Sequence, residues 1–159
     1  MVTENGRAEL RGLYTDPAQP LTIAVGQAFD LVSMPAAVGL AALAALRARR
    51  VRLGPVVADS RRRVMRVGFL VAPEPGGDVA EAGHAETAAL RDWACRLGGA
   101  LGVRVGGRGS TATLPPLLPW RGWLHWLVPP GTAAALWTPA DALLSVLSAQ
   151  SVRLGARTL

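Results

Sequence analysis

Asp30 is the residue that raises the question of chemistry. Within "GQAFDLVSMPAAVG", residues 26 to 39, it stands in an otherwise apolar, strand-like run that turns directly into a helix. That position suits a metal ligand at a strand end, and it equally suits a carboxylate that caps the turn. Two-metal phosphoryl transfer needs acidic side chains close together on neighbouring strand ends, because each cation must be neutralised and bridged to phosphate oxygens. The residue two positions along, which would share a strand face with Asp30, is Val32. Asp59 could approach Asp30 if their strands are neighbours, but it directly precedes "SRRR" and reads as a hairpin-turn residue.

Other kinds of site find less support. The chain has two histidines, His84 and His125, and one cysteine, with no His-x-x-His or Cys-x-x-Cys spacing, so neither zinc nor any cofactor is implied. His84 reads as a solvated loop residue and His125 as a half-buried strand residue among tryptophans. In "VRVGGRGSTAT", residues 103 to 113, glycine amides beside Arg108 and Ser110 could cradle an anion. The lysine-bearing phosphate-loop spacing is absent, and "LPPL" follows where a helix would be needed, so a hairpin turn is the better reading.

The basic residues form a second pattern. All 17 are arginines, and the net charge of +6 favours encounter with polyanions. Arg47, Arg49, Arg50 and Arg52 gather at the end of the first helix, and Arg61, Arg62, Arg63 and Arg66 at the proposed hairpin. On one surface they would hold single-stranded nucleic acid; on two they are solvated clusters. Trp120, Trp123 and Trp126 are spaced by three, and in a strand Trp120 and Trp126 share a face while Trp123 and His125 take the other. Bases stack on such rings, and cores use them too. The candidate contacts are therefore Asp30, Arg47, Arg50, Arg62, Arg63, Arg66, Arg108 and Trp123, and the candidate partners are single-stranded nucleic acid, a nucleotide or a protein.

The elements that must position these residues follow from periodicity. A chain of 159 residues with 50% apolar and 18% charged residues reads as one folded domain. Residues 1–20 read as a loosely held arm, 21–150 as the domain and 151–159 as a tail. "LTIAV" and "FDLV" are short strands; Ser33 and Pro35 start a helix over about 35 to 50. "PVVAD" and "VMRVGFLVA" form a hairpin, Ala85 to Leu97 a second helix, and "GVRVG", "TATLP" and "WLHWLV" further strands. Thr138, Pro139 and Asp141 mark the start of a last helix, with Thr138 as its cap. The class is α+β, with a small mixed sheet flanked by about three helices. Residues 73–83, "PEPGGDVAEAG", read as a flexible loop. The most apolar span, Pro35 to Leu46, falls short of the roughly 20 residues a bilayer requires, and a cytoplasmic location is expected.

Several blocks together resemble a known family. "GQAFDLVSMPAAVG", "LGPVV" followed by a strand ending "FLVAP", "TATLPP", and "WLHWLVPP" with a downstream "TPADALLSVL" are similar, in this order, to the small bifunctional DNA primase/polymerase N-terminal-like proteins of high-GC bacteria. The blocks span about residues 22 to 148. The resemblance implies a divergent primase-polymerase-like fold of the archaeo-eukaryotic primase superfamily. Active members carry two aspartates separated by one residue, a histidine on a later strand and a third acidic residue. Here Asp30 matches the first aspartate, Val32 replaces the second, "VMRVGFLVAP" has no histidine, and no third aspartate stands near "WLHWLV". The expectation is a catalytically degenerate domain that binds nucleic acid or a nucleotide without polymerising. The alternatives are a protein-interaction or scaffold module with a filled cleft, and an enzyme acting on a small non-nucleotide substrate.

Overall fold

The computed structural model describes residues 10–74, 84–118 and 122–157, with His84, Ala156 and Arg157 as backbone alone. The flexible loop proposed for 73–83 and the face assigned to Trp120 therefore lie largely outside the described residues. The described residues form seven strands: β1 Leu21–Ala24, β2 Asp30–Pro35, β3 Val56–Asp59, β4 Arg66–Val71, β5 Arg104–Gly106, β6 Thr111–Leu114 and β7 Leu124–Val128. The longer helices are α1 Ala36–Ala48, α2 His84–Arg96 and α3 Ala140–Arg157, with a short 3-10 turn at Gly98–Leu101.

The main sheet has the order β5-β2-β4-β3-β7, and β1 pairs with β6 in a separate two-stranded sheet. β4 runs antiparallel to both β2 and β3, and β2 antiparallel to both β4 and β5. The run β2-α1-β3-β4-α2-β5 is thus a double split β-α-β unit, each helix joining two parallel strands with an antiparallel one between them. The α+β class and the helix-flanked sheet stand as expected. The sheet is not mixed, however: every neighbouring pair is antiparallel, because the helical crossovers skip over a strand and never join adjacent ones.

Strand alternation assigns the two faces. Val32 and Met34 of β2, Val67, Phe69 and Val71 of β4 and Val56 of β3 pack against Leu43 and Leu46 of α1, Leu90 of α2 and Leu143 and Leu147 of α3. The helix α1 lies close to β4 because Gly39 faces Val67; a Cβ at Gly39 would come within 2.4 Å of the Val67 Cβ. On the other face Val57, Leu70 and Leu124 meet Ala112 and Leu114 of the small sheet, with Phe29 and Leu10. Residues 10–20 take part in this second layer: Leu10 is buried, and the Tyr14 hydroxyl donates to the Pro115 carbonyl at 2.6 Å. Burial raises the Tyr14 pKa above its ordinary value. Likewise α3 continues to Arg157, through most of the stretch read as a tail.

Two capping expectations are corrected. Pro35 occupies the position before α1 and no side chain caps it; Ser33 accepts instead from Arg66. The Thr138 hydroxyl accepts the Gly54 N–H at 3.1 Å, fixing a loop crossing in place of the first turn of α3. Among the described residues no helix is long and apolar enough to cross a membrane.

Candidate functional site

The sheet keeps the two candidate carboxylates apart. Asp30 pairs with Val71 and Asp59 with Arg66, the two ends of β4, a separation of about 16 Å along the strand at 3.3 Å per residue. They also face opposite layers, Asp30 with Val32 and Met34, Asp59 with Val57. Metals of a two-metal site lie about 3.5–4 Å apart, so Asp30 and Asp59 do not share one. Among the described residues no group of three or more His, Cys, Asp or Glu side chains stands close enough to hold an ion.

Asp30 does not cap α1, contrary to one reading of its position. Its carboxylate is 1% exposed and accepts through Oδ2 from Arg91 Nη2 at 3.0 Å and from the Glu74 N–H at 3.3 Å. Arg91 also donates to Glu74 and, at 3.1 Å, to the Val105 carbonyl, so one guanidinium from α2 ties together β2, the end of β4 and β5. Burial raises the Asp30 pKa, and the Glu74 amide and Arg91 offset this only in part. Among the described residues its Oδ1 is buried without a hydrogen bond. Arg108 lies on the rim of a small hollow with Gly26, Asp30, Glu74 and Arg91. The 103–113 segment is no hairpin: β5 joins β2 while β6 joins β1, and the turn closed by Ser110 N–H onto the Gly107 carbonyl passes the chain between sheets.

The other end of β4 carries a different arrangement. On the face away from the helices a cleft of about 430 Å³ opens between the main sheet and β6. Its floor holds Leu31, Ser33, Arg66, Gly68 and Arg104, its mouth Asp59, Arg61 and Arg62, and its far wall Thr111–Leu114. Asp59 is occupied: Arg61 donates to it through Nε at 2.9 Å, Nη2 at 2.8 Å and its own N–H at 3.1 Å. These bonds lower the Asp59 pKa and raise that of Arg61. Arg66 is anchored through Nη2 to Ser33 Oγ at 3.1 Å and to the Gly102 carbonyl at 2.9 Å. Burial and the nearby Arg104 charge lower its pKa. Among the described residues no carboxylate forms an ion pair with Arg62, Arg66 or Arg104.

The arginines therefore divide. Arg62 and Arg66 meet in the cleft with Arg104, while Arg63 is exposed in the turn beside them without lining it. Arg47 and Arg50 lie elsewhere. The helix α1 leaves β2 beside Arg66, and its 13 residues carry the chain roughly 20 Å toward the other end of the sheet. There Arg49 donates to Ser145 Oγ and Arg52 to the Ala134 carbonyl. Arg50, at φ 55°, closes α1: its N–H reaches the Arg47 carbonyl and Val51 N–H that of Leu46, a Schellman-type end. Trp123 is 73% exposed, and its carbonyl accepts the Ser60 N–H, which puts it at the same end of the sheet as Arg61 and Arg62. His125 binds the Gly122 carbonyl at 3.1 Å and borders a hollow of about 910 Å³ lined by Pro115, Pro116, Pro129 and Pro130 among others, with Arg11 at its edge.

Sequence reasoning missed Arg91, Glu74 and Arg104. Arg104 alternates with Val103 and Val105, a signal that it leaves the core, but only the β2–β5 register brings it beside Arg66. Neither a protein-family model nor a curated protein nor a solved structure matches this chain.

Proposed function

We propose that the chain is a catalytically degenerate, primase-polymerase-like domain of the cytoplasm that binds single-stranded nucleic acid in the cleft between the main sheet and β6. One observation carries this reading: Arg62, Arg66 and Arg104 converge on a cleft whose only bordering carboxylate among the described residues, Asp59, is already held by Arg61. Among the described residues Arg66 and Arg104 have no ion-pair partner and Arg62 has only the field of an Asp59 that Arg61 already holds, and guanidinium suits phosphate geometry. The exposed Trp123 ring offers a stacking surface at the same end of the sheet. The ordered sequence blocks support the primase-polymerase-like part. The distance between Asp30 and Asp59, with Asp30 engaged by Arg91, supports the non-catalytic part.

Titration of a fluorescein-labelled oligothymidylate by anisotropy tests the reading. Binding is expected at low salt with little sequence preference. Three neutralised phosphates predict a slope of log affinity against log salt of about −2, at roughly −0.7 per contact for single strands. Supplying template, nucleotides and magnesium or manganese is expected to give no extended product. Absence of binding at low salt defeats the reading, and template-dependent product abolished by Asp30→Ala defeats its non-catalytic part.

A further inference from the structure

The far wall of the cleft is a strand edge with unused backbone groups. Val25 N–H donates to the Ser110 carbonyl, directly opposite in the β1–β6 register. In an antiparallel pair the hydrogen-bonded positions recur every second residue. Ile23 with Ala112 and Leu21 with Leu114 are therefore the bonded pairs, and Thr22 with Thr113 is a non-bonded one. The contact of Thr22 Oγ1 with Thr113 Oγ1 at 3.2 Å fits that assignment, since side chains approach more closely at non-bonded pairs. The N–H and C=O groups of Thr111 and Thr113 consequently point away from β1, along the edge that lines the cleft. Such an edge is a template for another strand.

A strand added there would lie about 4.8 Å from β6 and stacked over the main sheet. Alternate side chains would point down, as Ala112 and Leu114 do, onto a floor that carries Arg66 and Arg104. An apolar or basic segment would leave those charges unmatched. We infer that the cleft is a strand-addition site for an extended acidic peptide, which pairs with the free edge of β6 and sets carboxylates against Arg62, Arg66 and Arg104. The inference rests on the reading above only in taking this cleft as the ligand site. It also supplies a means of control, because such a peptide and a nucleic-acid strand would compete for the same floor.

The test uses the whole chain and a fluorescein-labelled short peptide of alternating Glu and Thr, with a Lys and Thr peptide as its control. The acidic peptide is expected to bind, to displace labelled oligothymidylate, and to be weakened by Arg66→Gln; the basic one is expected not to bind. The decisive variant is Thr113→Pro. It removes an N–H that β1 does not use, and proline is tolerated on an edge strand when its missing donor would face outward. It should weaken the peptide by about tenfold, roughly one lost backbone hydrogen bond, and by clearly more than it weakens oligothymidylate, which takes no main-chain pairing from β6. Thr111→Pro, whose N–H shares that orientation, replaces it if thermal melting shows Thr113→Pro unfolded. Failure of the acidic peptide to bind, or equal binding by the proline variants, overturns the inference. Oligonucleotide binding alone then leaves the nucleic-acid reading standing, whereas peptide binding alone, sensitive to proline, removes that reading and keeps this one.

Discussion

Arg66 on β4 donates to the hydroxyl of Ser33 on β2, 3.1 Å away across paired strands. The same Nη2 also holds the Gly102 carbonyl at 2.9 Å, so one nitrogen fixes the side chain while Nε and Nη1 make no hydrogen bond among the described residues. A preorganised cation binds an anion with less loss of rotamer freedom than a mobile one. Ser33→Ala should therefore lower oligonucleotide affinity by about two- to fivefold, within the value of one hydrogen bond. Its effect on stability should stay below about 1 kcal/mol, because the site is partly solvated. Anisotropy and chemical denaturation on the same variant separate the two effects.

Asp30 predicts a contrast between two substitutions. Asp30→Ala leaves the Arg91 Nη2 and the Glu74 N–H without their acceptor, a loss of about 1–3 kcal/mol. Asp30→Asn keeps an acceptor and should cost less. The pH dependence of the difference has a definite sign. Burial raises the folded pKa above the ordinary 3.8, so between these values the folded protein keeps a proton that the unfolded chain has released. Stability contributed by Asp30 is thus fully present below about pH 3.8 and falls as pH rises through the folded pKa. Denaturation midpoints measured from acid to neutral pH should show wild type losing ground to Asp30→Asn. A gain with rising pH would contradict the account.

Arg50 holds a left-handed conformation, φ 55°, at the end of α1. A side chain there is strained and glycine is not. Arg50→Gly should raise stability by up to about 1 kcal/mol, the usual size of a relieved left-handed position, and leave ligand affinity intact apart from a small general charge effect. A destabilised Arg50→Gly protein would show that the guanidinium has a packing role.

Local pattern made most elements legible. The first helix is read as about 35 to 50 and found at Ala36–Ala48; the second is read as Ala85 to Leu97 and found at His84–Arg96. The hairpin of β3 with β4 is also where the turn residues around Asp59 place it. Pairing across long separations was not legible. Nothing near residues 103 to 113 says that β5 belongs to one sheet and β6 to another, since a turn rich in glycine fits either path. The partner of Asp30 stands 61 residues away on a helix, and charge alone does not choose Arg91 from 17 arginines. The two arginine clusters look equivalent in the sequence; only the direction of α1 sends one of them to the far end of the sheet. The free edge of β6 depends on hydrogen-bond parity, which the sequence of a single strand does not carry.

Binding of nucleic acid is proposed for the cleft and not for the positive charge of the whole chain. Two variants with the same change in net charge test it: Arg66→Gln with Arg104→Gln in the cleft, and Arg47→Gln with Arg50→Gln beyond α1. Oligothymidylate affinity at low salt is the measurement. The cleft pair should lose at least about tenfold, with a salt slope smaller by about 1.4, or roughly 0.7 for each lost phosphate contact, and the pair beyond α1 should change little. Equal losses in the two variants, or no loss in the cleft pair, would contradict the proposal.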